Sequence, residues 1–218
     1  MLKTNIDEVL HRGWSILEIN PGSELLEISR ALGEPMASRI NGPLVDILRV
    51  VEAENARERS LSAKYGTGAF PWHTDLAHIR IPPRFVLMRS LGAAGARPSL
   101  LFDTNGLCRS PYEDASLRTD IWLVNGGRGR FLTPIINDTL LRETRIFRYD
   151  PCVMRPMQQT SPSAALIKRL NHSRATAVIQ WAPGLCVIID NWRMAHARAP
   201  QPGKPEPERM MERVLIRV

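Results

Sequence analysis

From Arg84 to the end, the chain is a succession of short apolar runs, each closed off by glycine, proline or a polar turn. Runs of this length with such boundaries read as strands rather than helices. The final segment, Arg209–Val218, is the clearest. Met210, Val214, Ile216 and Val218 share one face of an extended chain, with only Glu212 against the pattern, while Arg209, Met211, Arg213, Leu215 and Arg217 share the other. Further strands are expected at 13–19, 43–52, 84–91, 98–104, 120–125, 130–136 and 144–149. The last two before 144 form a hairpin around Gly126-Gly127, and 177–181 with 185–190 form a second across Ala182-Pro-Gly184. Helices are expected from Ser23, as N-cap, to about Leu32, over Pro111–Arg118, and over Ser161–Asn171 with a serine at its start. Many strands, few helices and no linker or repeat predict one mainly β domain over residues 1–218, a barrel or sandwich with helices outside.

Composition narrows the function. No apolar run reaches the length of a membrane span, and the first residues lack the apolar core of a secretory signal, so a cytoplasmic protein with no membrane role is expected. Cys108, Cys152 and Cys186 are odd in number and scattered, which suits free thiols rather than a disulfide framework or a zinc site. The net charge of +7 comes from dispersed arginines with no basic cluster or aromatic-interleaved stripe, which argues against nucleic acid.

The segment with most chemistry is Pro71-Trp-His-Thr-Asp-Leu-Ala-His78. In an extended chain His73 and Asp75 point the same way. A non-haem Fe(II) site needs two imidazoles and one carboxylate on one side of the ion, with the remaining positions open. The second imidazole would come from Asn191-Trp-Arg-Met-Ala-His196. His78, an odd number of residues from His73, falls on the other face, and His11 and His172 have no partner pattern. Tyr65-Gly-Thr-Gly68 lacks the lysine and following helix of a phosphate loop, and is expected to be a flexible turn leading to the ligands. Trp72 and Trp192 are expected to pack. Asp190 is a candidate either to orient His196 or to shape a turn, and Arg148 is expected to be a solvated strand arginine, with reach to the substrate as the alternative.

His73-x-Asp75, the strand Ser99-Leu-Leu-Phe-Asp103-Thr104, the distal His196 and the arginines of the last segment occur in the order of the Fe(II)/2-oxoglutarate-dependent dioxygenases. The chain resembles their taurine dioxygenase-like branch from about Gly13 onward. The resemblance implies a double-stranded β-helix, or jelly-roll barrel, with His73, Asp75 and His196 as iron ligands. Arg209 and Ser99 would hold the remote carboxylate of 2-oxoglutarate, Arg213 would meet an anionic substrate, and Leu76 would lie beside it. The expected activity is hydroxylation or desaturation of a C–H bond in a small, anionic or amino-acid-like metabolite, consuming O2 and releasing succinate and CO2. A carboxylate at position 75 argues against halogenation. The alternatives are a hydroxylase of a protein or carrier-tethered substrate, and a jelly-roll binding protein without turnover.

Overall fold

A computed structural model of the chain describes residues 2–20, 22–92, 94–126, 129–138, 144–200 and 209–218. The chain opens on α1 (Leu2–Arg12), an element outside the sequence expectations, followed by β1 (Trp14–Leu17). Gly13 joins them with φ +89°, and a Cβ there would lie 2.3 Å from the Met194 sulfur. Next come α2 (Leu25–Arg30), β2 (Glu34–Met36), β3 (Val45–Arg49), α3 (Leu61–Tyr65), β4 (Phe85–Ser90) and β5 (Ser99–Asp103). The middle of the chain holds α4 (Pro111–Thr119), β6 (Trp122–Gly126), β7 (Gly129–Thr133), β8 (Ile136–Asp138), β9 (Arg145–Phe147) and β10 (Met154–Pro156). It ends with α5 (Pro162–Asn171), β11 (Ala177–Ile179), β12 (Cys186–Asp190), β13 (Met194–Arg198) and β14 (Met210–Arg217).

Every strand pair is antiparallel among the described residues. The main sheet runs β1-β12-β4-β14-β2, and the long β14 also carries β3 beside its first half. Facing it is the sheet β11-β5-β13, with the smaller sheets β10-β6-β7 and β8-β9 to the side. Val86, Met88, Val187, Ile189, Met211 and Leu215 of the main sheet pack against Leu101, Ile179, Trp181 and Met194. Phe85, Leu87, Ile188, Val214 and Ile216 face the other way, under Val9, Leu25 and Leu32 from the helical segments. With both faces covered, β12 is buried at every residue, and burying each of its aliphatic side chains contributes about 1.5–3 kcal/mol.

The mainly β, antiparallel class with outer helices is as expected, although the described strands form four separate sheets rather than one closed wall. The β6–β7 hairpin is present, with Gly126 opposite Gly129, while Gly127 lies outside the described residues. Ser161 caps α5 by accepting the Ala164 N–H. Two expectations need correction. The 177–190 stretch is not a hairpin: β11 pairs with β5 and β12 with β1 and β4, so the Ala182–Gly184 turn carries the chain between sheets. Ser23 does not cap α2, whose N-cap is Glu24 without a side-chain bond; the Ser23 carbonyl instead accepts from Arg89 at 2.6 Å. No helix among the described residues is long and apolar enough to cross a membrane, and none of the three cysteines is bonded.

Candidate metal centre

Residues 70–73 run beside the free edge of β13. The Phe70 N–H donates to the Arg198 carbonyl, and His73 and His196 donate their backbone N–H groups to each other's carbonyls at 3.0 and 2.8 Å. Such a pair points its side chains to the same face, and the two imidazoles lie with ring centroids 4.3 Å apart. The regular strand expected at His73–Asp75 is reduced to this one bridge, and a turn begins at Asp75. Leu76 continues that turn at φ +53°, a left-handed conformation uncommon for a bulky residue.

Two side chains strap the turn down. The fully buried Asn191 accepts the Asp75 N–H at 2.7 Å and donates to the carbonyls of Asp75 and Pro83. Thr74 donates its N–H to the Tyr149 carbonyl, and its hydroxyl accepts the Tyr149 N–H. One ligand atom from each of His73, Asp75 and His196 falls within 4.8 Å of the others, the one such group among the described residues.

The donor set suits a non-haem iron. His73 Nδ1 lies 3.0 Å from the Pro71 carbonyl, which can only accept, so Nδ1 carries the proton and Nε2 keeps its lone pair. Burial, and then the neighbouring His196, lower the His73 pKa to about 3, so the ring is neutral, as a ligand must be. Burial alone would raise the Asp75 carboxyl; the Arg213 guanidinium and the two imidazoles outweigh it and hold the group below the ordinary carboxylate range. His196 Nε2 is 3.8 Å from Asp75 Oδ1, too long for a hydrogen bond and wide enough for an ion bound to both.

The triad lies in a cavity of about 540 Å³, a volume ordinary for a small-molecule site, which Leu76, Ser99, Arg209, Arg213 and Asp150 also line. Arg209 donates to Ser99 Oγ at 2.8 Å, and Trp181 Nε1 donates to the same oxygen at 3.1 Å. With both lone pairs of that hydroxyl used, its proton is the part left for a ligand. Arg213 reaches both oxygens of Asp75 at 3.1 Å and Asp46, buried opposite it on β3, at 2.8 Å. The arginine assigned from sequence to an anionic substrate is thus engaged with a candidate metal ligand.

Several other sequence expectations are resolved differently. His78 lines the cavity but is outside the triad, with its Cβ against Gly126. Of the two roles open to Asp190, the turn is the one seen: it accepts the Trp192 N–H and pairs with Arg84 at 3.6 Å. Arg148 is 2% exposed and donates to the carbonyls of Ala77, Ile79 and Arg80, so it clamps the turn after Leu76 instead of meeting solvent. The Tyr65–Gly68 turn is pinned through carbonyls of its glycines and Thr67 by the buried Arg97 and Arg198. Trp72 and Trp192 are buried and pack as expected.

Asp150 had no sequence signal beyond its place after a strand. It lines the same cavity, with Oδ1 accepting the Cys152 N–H at 2.7 Å. Burial pushes its carboxyl up to about 6, with the charge of Asp75 adding to the rise.

The model of the taurine catabolism dioxygenase TauD, TfdA family matches residues 134–215, a span that includes His196, Arg209 and Arg213 but neither His73 nor Asp75. The family resemblance is borne out over that span. No curated protein matches the chain by sequence. Among solved structures, PvcB from Pseudomonas aeruginosa, described as an Fe, alpha-ketoglutarate dependent oxygenase from an isonitrile synthetic pathway, superposes with TM-score 0.70. It is 18–19% identical, with 100% of this chain and 80% of PvcB covered. Asparagine oxygenase, solved with Fe(II), 3-hydroxyasparagine and succinate, gives TM-score 0.73 at 18% identity, over 99% of this chain and 77% of that one. The non-haem iron oxygenase OrfP, solved with Fe and alpha-ketoglutaric acid, gives 0.72 at 18% identity, over 99% and 78%. At these identities the likeness establishes a shared fold.

Proposed function

We propose that this chain is a non-haem Fe(II)- and 2-oxoglutarate-dependent dioxygenase that hydroxylates a C–H bond of a small, amino-acid-like metabolite. The reading takes residues 1–218 as a single jelly-roll domain with its metal at the mouth. One observation carries it: two imidazoles and a carboxylate converge in a cavity that also holds the Arg209–Ser99 pair. The family match and the shared fold with iron and alpha-ketoglutarate oxygenases support it.

In this reading His73, Asp75 and His196 hold Fe(II) from one side. Iron bound there with 2-oxoglutarate and O2 supplies the chemistry, decarboxylating the keto acid to succinate and CO2 as the substrate is hydroxylated. Arg209 binds the remote carboxylate of 2-oxoglutarate by charge-assisted hydrogen bonds, and the Ser99 O–H donates a further one. Arg213 holds Asp75 ionised and oriented. Leu76, on the turn clamped by Arg148, forms the apolar wall against the substrate. The molecules bound in the OrfP and asparagine oxygenase structures, hydroxylated arginine and hydroxylated asparagine, favour an amino-acid-like substrate.

Anaerobic titration tests the reading. Fe(II) and 2-oxoglutarate together should produce a weak visible charge-transfer band that neither gives alone, and O2 should then yield succinate. A band that never forms, or succinate that never appears with candidate substrates or without them, overturns the reading in favour of a binding protein.

A further inference from the structure

Asp150 follows β9 and borders the cavity that holds the triad. Its hydrogen bond from Cys152 N–H occupies one oxygen, and its backbone carbonyl accepts the N–H groups of Val153 and Met154, so the residue is fixed where it stands. It makes no ion pair among the described residues. The attraction it feels comes from Lys64 at a distance, and the exposed Arg57 and Arg59 at the outer rim do not reach it. Of the other carboxylates lining the cavity, Asp75 is already neutralised by Arg213, which is shared with Asp46, and Glu58 is exposed to water. Arg198 is committed to the carbonyls of Gly66 and Gly68 and to the face of Phe70.

A half-buried carboxylate lining the same cavity as the triad, without a counter-ion among the described residues, is less favourable in the empty protein than when a cation enters beside it. A neutral donor would satisfy its lone pairs but leave the charge. A second metal is not supported, since no other ligating side chain joins Asp150 in a group among the described residues.

We propose that Asp150 is the substrate anchor of this cavity, and that it takes a protonated nitrogen, an ammonium or a guanidinium. The proposal rests on the dioxygenase reading for the fate of the substrate and narrows its class. It replaces the anionic substrate inferred from Arg213, whose guanidinium is turned to Asp75 and Asp46.

The test is calorimetry of wild type and Asp150→Asn, each unloaded and loaded anaerobically with Fe(II) and 2-oxoglutarate. The probes are L-arginine, L-lysine, L-asparagine and putrescine, each beside an acetylated counterpart with no protonated nitrogen left: Nα-acetyl-L-citrulline, diacetyl-L-lysine, N-acetyl-L-asparagine and diacetylputrescine. We expect at least one free amine to bind wild type about ten- to a hundredfold more tightly than its acetylated form, the range of a charge-assisted contact, and to lose that preference in Asp150→Asn. Equal binding of free and acetylated forms, an unchanged preference in Asp150→Asn, or no binding by any amine overturns the proposal. Amine selectivity in the unloaded chain, together with failure to form the iron and 2-oxoglutarate band, would overturn the dioxygenase reading and leave the anchor standing.

Discussion

His73 and His196, far apart in the sequence, stand directly opposite each other across one antiparallel bridge, each backbone N–H donated to the other's carbonyl. The backbone itself therefore sets the spacing of the two imidazoles, before any ion binds. Asp75 enters from the turn that follows, fixed through Asn191, which belongs to the same 190–193 segment that delivers His196.

In the dioxygenase reading, this arrangement makes the carboxylate replaceable in the fold but not in the reaction. Asp75→Ala removes the one anionic donor of the triad while the His73–His196 bridge and the Asn191 strap, both made by backbone groups at their far ends, persist. Succinate formation should fall to background. Circular dichroism and the thermal midpoint should show a folded protein, which separates loss of the site from loss of the structure.

Arg209→Ala should leave the triad intact and raise the 2-oxoglutarate concentration needed for half-maximal succinate formation by about two orders of magnitude, since it deletes a charge-assisted contact. Ser99→Ala should cost about tenfold, the scale of one hydrogen bond. Co-substrate titrations of both variants check this, and normal affinity in Arg209→Ala would move the role to another cation.

Arg213 neutralises two buried carboxylates at once. Replacing it with glutamine leaves Asp46 and Asp75 without their cation and should destabilise the metal-free protein by about 3–5 kcal/mol in urea unfolding. Adding Asp46→Asn to Arg213→Gln should restore part of that loss, because one uncompensated charge is removed. Fe(II) affinity at neutral pH should also fall in Arg213→Gln, as the Asp75 proton becomes harder to displace.

The carboxyl of Asp150 titrates at about 6 in the folded chain against 3.8 in the unfolded one. The folded state therefore holds its proton more tightly, and this residue's contribution to stability declines as pH rises through that window. Asp150→Asn should remove the decline and make the metal-free protein more stable at neutral pH, by at most about 3 kcal/mol. His73, lowered from 6.5 to about 3, acts in the opposite sense: its stability is lost as pH falls through that range. Its effect is common to both proteins and cancels in their difference. Unfolding midpoints of the two compared across the window check the sign. A variant less stable than wild type at neutral pH would show that Asp150 is held by contacts that favour its charge.

How much of this was legible beforehand divides by range. The alternating Arg209–Val218 segment needed only side-chain periodicity to be read as a strand with its arginines on one face, and His73-x-Asp75 with His196 pointed to the triad from donor chemistry and the family's motif order. Ser161 announced its helix because capping is a bond between near neighbours. The 177–190 hairpin misled because adjacency and a turn signal describe a local preference, whereas pairing was decided by which sheet edges β5 and β4 offered.

Arg148 and Asp150 mark the limit most sharply. Two residues apart in sequence, one is buried to hold three carbonyls and the other, half-buried, lines a cavity, and nothing in Arg-Tyr-Asp distinguishes those environments. The sequence by itself determined the longer strands, the two capped helices α4 and α5 and the chemistry of the candidate ligands, because periodicity, capping and donor identity are properties of residues close along the chain. Only the tertiary structure decided which charges pair, as when Arg213 met Asp46 and Asp75 while Asp150 kept no counter-ion among the described residues, because desolvation and Coulomb attraction depend on distance through space.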